Sequence, residues 1–172
     1  MRWNAYRRHC DNLLGNPRFT ADIDAVVMLD LDKITEFLKI AKEFGIIPRI
    51  KNVEIFAEEN RVLLLKHKES AIDIDISLGI LPFEIEAIQN STLVKFGKVS
   101  MKIPSVEDFI ILKAVAHRGK DILDIKEITK IHPNLNTARI KKNVKEFAKV
   151  LEMPELWDDI EKILKDAKKH GK

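Results

Sequence analysis

Cysteine is nearly missing from this chain: its 172 residues hold one, Cys10. That excludes a disulfide framework and a four-cysteine zinc site. Glycine is scarce, at six residues, about half the usual ~7% share, so few positions suit a close approach of backbone to a ligand. No apolar run reaches the ~18 residues of a membrane span, and no signal-peptide pattern opens the chain. An excess of charge of one sign is also missing, with 30 Lys and Arg against 27 Asp and Glu, a net +3. Because 45% of residues are hydrophobic, this balanced third of charged residues does not make a disordered chain. The expectation is a cytoplasmic protein with no membrane partner, long enough for one substantial core plus a small helical tail.

The small net charge is unevenly placed. Residues 1–11 contain three arginines and one aspartate, a net +2 of the chain's +3. The same stretch holds the only cysteine, the only tyrosine (Tyr6) and one of the two tryptophans (Trp3). Its composition does not match the rest. The Lys141-Lys142 and Lys168-Lys169 pairs have acids nearby and read as solvated helix faces; a near-neutral body gives no strong nucleic-acid footprint.

The pattern along the chain predicts α+β. Residues 20–29 read as a strand. Residues 30–44 space Ile34, Phe37, Leu38, Ile40, Ala41 and Phe44 as a helix, capped by Asp30 or Asp32 and ended by Gly45. Strands follow at 61–67 and 71–78, then a short helix from Pro82 and a hairpin over 92–103 turning at Gly97-Lys98. Ser105 caps helical periodicity that runs over 106–131 with a break near Gly119. Helices over 137–151 and 155–169 finish the chain. Strands thus occupy the first part and helices the last. The division expected is 1–104, a small mixed sheet with packed helices, and 105–172, a helical C-terminal region.

Two acidic pairs stand out. Asp22 and Asp24 share one face of a predicted strand, about 7 Å apart. Asp73 and Asp75 repeat the arrangement, with Ile72, Ile74 and Ile76 pointing the other way. If the strands are neighbours, the carboxylates form a like-charge cluster that needs a cation. Oxygen-only ligands suit Mg²⁺ or Mn²⁺ rather than Zn²⁺. For Asp73 and Asp75 taken alone, a half-solvated strand is the favoured explanation. It does not explain Asp22 and Asp24, since Asp is a poor strand former and gains nothing beside a second Asp. Arg18 and Thr20 lie on the same parity.

The segment Gly15-Asn16-Pro17-Arg18-Phe19-Thr20-Ala21-Asp22-Ile23-Asp24 resembles the core motif of minimal nucleotidyltransferases of the polymerase-beta superfamily, in the branch that includes abortive-infection-type toxins of toxin–antitoxin pairs. Ile74-Asp75-Ile76 followed by Pro82-Phe83-Glu84 resembles the strand of that family's third carboxylate. Ser105 to Ile110, with Lys113, Arg118, Lys120, Asp121 and Asp124, resembles its downstream helix signature. The ordered set spans about residues 12–128.

The resemblance implies the nucleotidyltransferase fold and a metal-dependent activity. Asp22, Asp24 and Asp75 would be the catalytic and metal-holding carboxylates for Mg²⁺ or Mn²⁺, with Asp73 the alternative third member. The reaction would move a nucleoside monophosphate from an NTP to a hydroxyl of tRNA or protein, and an antitoxin protein would be a partner. Arg18, Thr20, Lys113, Arg118 and Asp121 would bind substrate. On residue type alone, Lys113 in an apolar helix reads as a snorkelling surface lysine, and Arg118 and Lys120 suit a helix end without any ligand. Asp121 and Asp124 would cap the next helix or orient Lys113 and Arg118. The alternative is a non-catalytic binding or regulatory module on the same fold.

The chain departs from the family pattern at one place. Members carry Gly-Gly or Gly-Ser at the end of a first strand, ahead of the segment that here reads Leu13-Leu14-Gly15-Asn16-Pro17. Small residues there let backbone groups approach the triphosphate. This chain has Arg7 and Arg8 instead. Tyr6-Arg7-Arg8-His9-Cys10-Asp11 can be encoded TAT AGG CGG CAT TGC GAT, and a one-base shift of that string reads Ile-Gly-Gly-Ile-Ala. The reading is that residues 1–11 are out of frame relative to the rest. The expected consequences are a missing strand and phosphate turn, impaired catalysis, and an exposed sheet edge able to pair with a second copy.

Overall fold

The computed structural model describes the backbone of residues 3–6 and 22–170 and the side chains of 23–95 and 97–167. Among these residues it is α+β, with a five-stranded mixed sheet, a two-stranded sheet and seven α-helices. The described residues fall into two compact units divided between Ile103 and Pro104.

The first unit is built on β1 (Trp3–Tyr6), β2 (Asp22–Val27), β3 (Ile46–Pro48), β4 (Val62–His67) and β5 (Asp73–Leu78). Their spatial order is β1-β2-β5-β4-β3. Only β2 and β5 run parallel; the other pairs are antiparallel. Parallel neighbours require a long crossover. Here the chain between them carries a 3₁₀ turn (Leu31–Lys33), α1 (Ile34–Glu43), β3, α2 (Val53–Asn60) and β4. Gly45, at φ +72°, ends the α1 segment as expected, in the left-handed region that glycine enters without strain. Neither Asp30 nor Asp32 caps α1: the helix starts after the 3₁₀ turn, and Asp30 precedes that turn without a side-chain hydrogen bond.

Alternation sorts the two faces of this sheet. Ile74, Ile76 and Leu78 of β5 join Leu63 and Leu65 of β4 in the core, with Ile34 of α1 and Val53 and Ala57 of α2. Leu63, Leu65 and Ala57 are fully buried. Each large apolar side chain buried this way contributes roughly 1.5–3 kcal/mol. The odd positions of β5 and the corresponding positions of β2 turn to the opposite face.

The sequence reading expected no strand from residues 1–11. Instead β1 pairs antiparallel with β2, Tyr6 opposite Asp24 and Trp3 opposite Val27. The edge of β2 is therefore covered. Four residues of mixed character suffice because a strand at an edge needs ladder hydrogen bonds more than a particular side-chain pattern. Arg7 and Arg8 lie outside the described residues.

Past β5, α3 (Pro82–Gln89) begins at a proline. The Glu84 carboxylate accepts hydrogen bonds from the backbone N–H of Ile80 and of Leu81, each 3.0 Å. The hairpin is β6 (Thr92–Phe96) and β7 (Val99–Ile103), turning at Gly97, φ +60°.

The second unit is helical. Its center is α4 (Val106–Ala116), which packs against α5 (Gly119–Ile131), α6 (Thr137–Val150) and α7 (Glu155–His170). Ser105 caps α4 as expected, its hydroxyl accepting from the Asp108 N–H at 3.1 Å. Phe109, Ile110, Ile111 and Ala114 are fully buried. A helix apolar on all sides is a buried helix. His117, in the left-handed region at φ 47°, breaks the chain between α4 and α5. Among the described residues, no helix is long and apolar enough to cross a membrane.

Candidate active site

The parallel pair β2–β5 sets Asp22 opposite Asp73 and Asp24 opposite Asp75. Residues opposite each other in a ladder share a face, so the two acidic pairs expected from sequence meet on one side of the sheet. The row through Asp75 continues to Leu64 of β4. Arg49, just past β3, donates its backbone N–H to the Leu64 carbonyl at 2.9 Å. One row thus reads Tyr6, Asp24, Asp75, Leu64, Arg49 across the sheet. The next reads Asp22, Asp73, Lys66, Ile47. The Asp22 side chain lies outside the described set, as do Arg18 and Thr20.

Arg49 reaches over Leu64 to both carboxylates of β5. One guanidinium nitrogen is 2.7 Å from Asp73 Oδ2 and the other 2.6 Å from Asp75 Oδ1. Lys66 Nζ is 3.6 Å from the other Asp73 oxygen. Arg49 is about a quarter exposed and the two aspartates somewhat more. Burial alone would lower the Arg49 pKa, but hydrogen bonding and charge from the two aspartates raise it. The hydrogen bond from Arg49 holds Asp73 below its ordinary value of 3.8, against a smaller opposing effect of desolvation. A carboxyl whose native pKa is lowered stabilises the fold above its unfolded pKa. That contribution is expected to be constant at neutral pH and to disappear below pH 3.8, as acid protonates native Asp73. In Asp73→Asn, thermal midpoints measured through that range should fall less steeply than in the parent.

Asp24, Asp73 and Asp75 offer only oxygen donors, on neighbouring strands and one face. Among the described residues, no three acidic, histidine or cysteine side chains stand arranged as a metal cage. The guanidinium instead meets the need for positive charge. Oxygen-only donors are of the type that hard divalent cations take; in this structure Arg49 is the positive group on Asp73 and Asp75.

The downstream residues gather in the helical unit. Lys113 is 3% exposed. Its Nζ donates to Asp124 Oδ2 at 2.7 Å and lies 3.7 Å from Asp121 Oδ1. Lys113 is thus no snorkelling surface residue: Phe109 and Ile110, one turn before it, are fully buried, and two buried carboxylates receive its charge. Asp121 takes both proposed roles at once. It accepts from the Arg118 backbone N–H at 3.3 Å, capping α5, and from the Arg118 guanidinium, at 2.9 Å to Oδ1. Asp108 of α4 is fully buried, with Arg139 of α6 donating to its Oδ1 at 3.0 and 2.7 Å. A cavity of about 750 Å³ in this unit lies between α5 and α7, beside Lys126, Asp159 and Lys162, and none of the sequence-predicted residues lines it.

Arg49 and Arg139 were not among the sequence candidates. Period two along β4 places Lys66 on the carboxylate face, a signal that was available. Nothing local marks Arg49, which owes its position to a three-residue strand containing a proline.

The family model "Nucleotidyl transferase of unknown function (DUF2204)" matches residues 12–165, and the chain belongs to that family. The match leaves residues 1–11 outside it. Among solved structures, an antigenic nucleotidyltransferase-like protein from Paracoccidioides brasiliensis shares the fold at a TM-score of 0.50 and 15% identity, over 92% of this chain and 84% of that one. No curated protein matches.

Proposed function

We propose that the sheet unit carries the active site of a metal-dependent nucleotidyltransferase, which moves a nucleoside monophosphate from an NTP to a hydroxyl of RNA or protein. The observation that carries this reading is the register of β2 on β5, which sets Asp24 beside Asp75 and Asp22 beside Asp73. Asp22, Asp24 and Asp75 would hold Mg²⁺ or Mn²⁺. The bound ions would neutralise the triphosphate and favour in-line attack of the acceptor oxygen on the α-phosphorus, with the α–β anhydride bond broken and pyrophosphate released. Asp75 would accept the proton of the acceptor hydroxyl, and for that its Oδ1 must be free of Arg49. Asp73, held by Arg49 and Lys66, would keep the two β5 carboxylates side by side rather than react. Lys113, Arg118 and Asp121 would support the helical unit's substrate contacts by fixing α4 against α5.

Residues 1–11 bear on turnover. Their position outside the family match supports the reading that they are out of frame. Glycines at positions 7 and 8 would let a backbone approach a triphosphate that arginines there would not, so turnover would be slow in the chain as it stands. The same feature favours the second reading, a nucleotide-binding module without catalysis. Incubation with radiolabelled NTPs, Mg²⁺ and total RNA or cell lysate tests both. Label should transfer weakly from the chain as it stands and strongly with Arg7→Gly and Arg8→Ser. Binding without transfer in both forms would favour the non-catalytic module. The acceptor that takes the label, and an antitoxin-type gene beside this one, would test a toxin role.

A further inference from the structure

The proposed site is already neutralised by the protein itself. Arg49 is anchored through its backbone to Leu64, one strand away from Asp75, so its guanidinium reaches the carboxylates only by lying across that residue. It then forks, one nitrogen to Asp73 and one to Asp75. Each contact is a charge-assisted hydrogen bond, so one guanidinium ties two carboxylates to each other. One of the two nitrogens sits on Asp75 Oδ1, an oxygen that a divalent ion held by Asp22, Asp24 and Asp75 would need. A cation of charge +2 on Asp75 and a guanidinium within hydrogen-bond distance of the same oxygen repel each other in a partly buried place, where that repulsion is poorly screened.

We propose that Arg49 is a positioning residue that competes with the divalent cation for Asp75. Without metal it holds the β5 carboxylates together; metal entry requires its release from Asp75. The inference rests on the metal-site reading above. It differs from a purely structural ion pair in the direction of one effect: removing Arg49 strengthens metal binding.

The test is Mn²⁺ titration of the full chain, with free Mn²⁺ followed by electron paramagnetic resonance and no nucleotide present. Arg49→Ala should bind Mn²⁺ about tenfold tighter or more, the least that one charge at such a distance does to a carboxylate's proton affinity. Its thermal midpoint without metal should fall below the parent's and recover as Mn²⁺ is added. Adding Asp75→Asn to Arg49→Ala should erase the gain. Unchanged or weaker Mn²⁺ binding in a folded Arg49→Ala overturns the proposal while leaving the metal site standing. Should Arg49→Ala not fold, Arg49→Gln decides: it keeps much of the stem and loses the charge, so tighter binding supports the competition and equal binding overturns it. If neither parent nor variants bind Mn²⁺, the metal-site reading fails and this inference with it.

Discussion

Asp24→Asn is expected to reduce nucleotidyl transfer by about a thousandfold or more, several kcal/mol of transition-state stabilisation. The amide keeps the shape of the side chain and removes its charge. Asp24 sits directly across from Asp75 in the parallel ladder, so its loss leaves a hard cation one carboxylate short. The measurement is label transfer from NTP in the glycine-restored background, where the parent rate is highest. Asp75→Asn should match it, and Asp73→Asn should fall less, because Asp73 is tied to Arg49 and Lys66. Equal losses at Asp73 and Asp75 would reverse that assignment. A loss under about tenfold in Asp24→Asn, about 1.4 kcal/mol, would remove Asp24 from the chemistry.

Lys113→Ala carries the largest stability effect expected in the chain, a loss of about 3–5 kcal/mol in urea unfolding. Lys113 is 3% exposed and Asp121 1%. Removing the ammonium leaves buried carboxylates with less compensation than folding requires. The cost arises from the charge left behind rather than from the pair itself, so Lys113→Met combined with Asp124→Asn should cost less than Lys113→Ala alone. A loss under about 1 kcal/mol, the scale of an exposed pair, would show that water reaches this cluster. Both readings of Lys113, as snorkelling or as substrate ligand, missed its burial, since an apolar helix with one lysine looks the same whether that lysine escapes or is met from the next helix.

Where local chemistry decides structure, the sequence was readable. Ser105 before an apolar run, Pro82 at a helix start, Gly97 in a hairpin and strict alternation over 73–78 each correspond to an observed element. The acidic strands were legible for the same reason: period two alone puts Asp22 with Asp24 and Asp73 with Asp75. Residues 46–60 were not. Their strand is three residues long, ends at Pro48, and is followed by Asn52 in the left-handed region at φ 53°. Only the pairing of β3 with β4 makes that stretch regular, and Arg49 inherits its place from that pairing. Tertiary contact, rather than propensity, selects it.

The parallel neighbours β2 and β5 also set an order of events. No hairpin joins Asp24 to Asp75; the intervening helices and two strands must fold and bring the chain back before the carboxylates meet. Contacts so distant along the chain form late and slowly. A nascent or partly folded chain therefore shows isolated aspartates, with no more claim on a divalent ion than any surface pair. The four-carboxylate face comes into being only with the completed sheet.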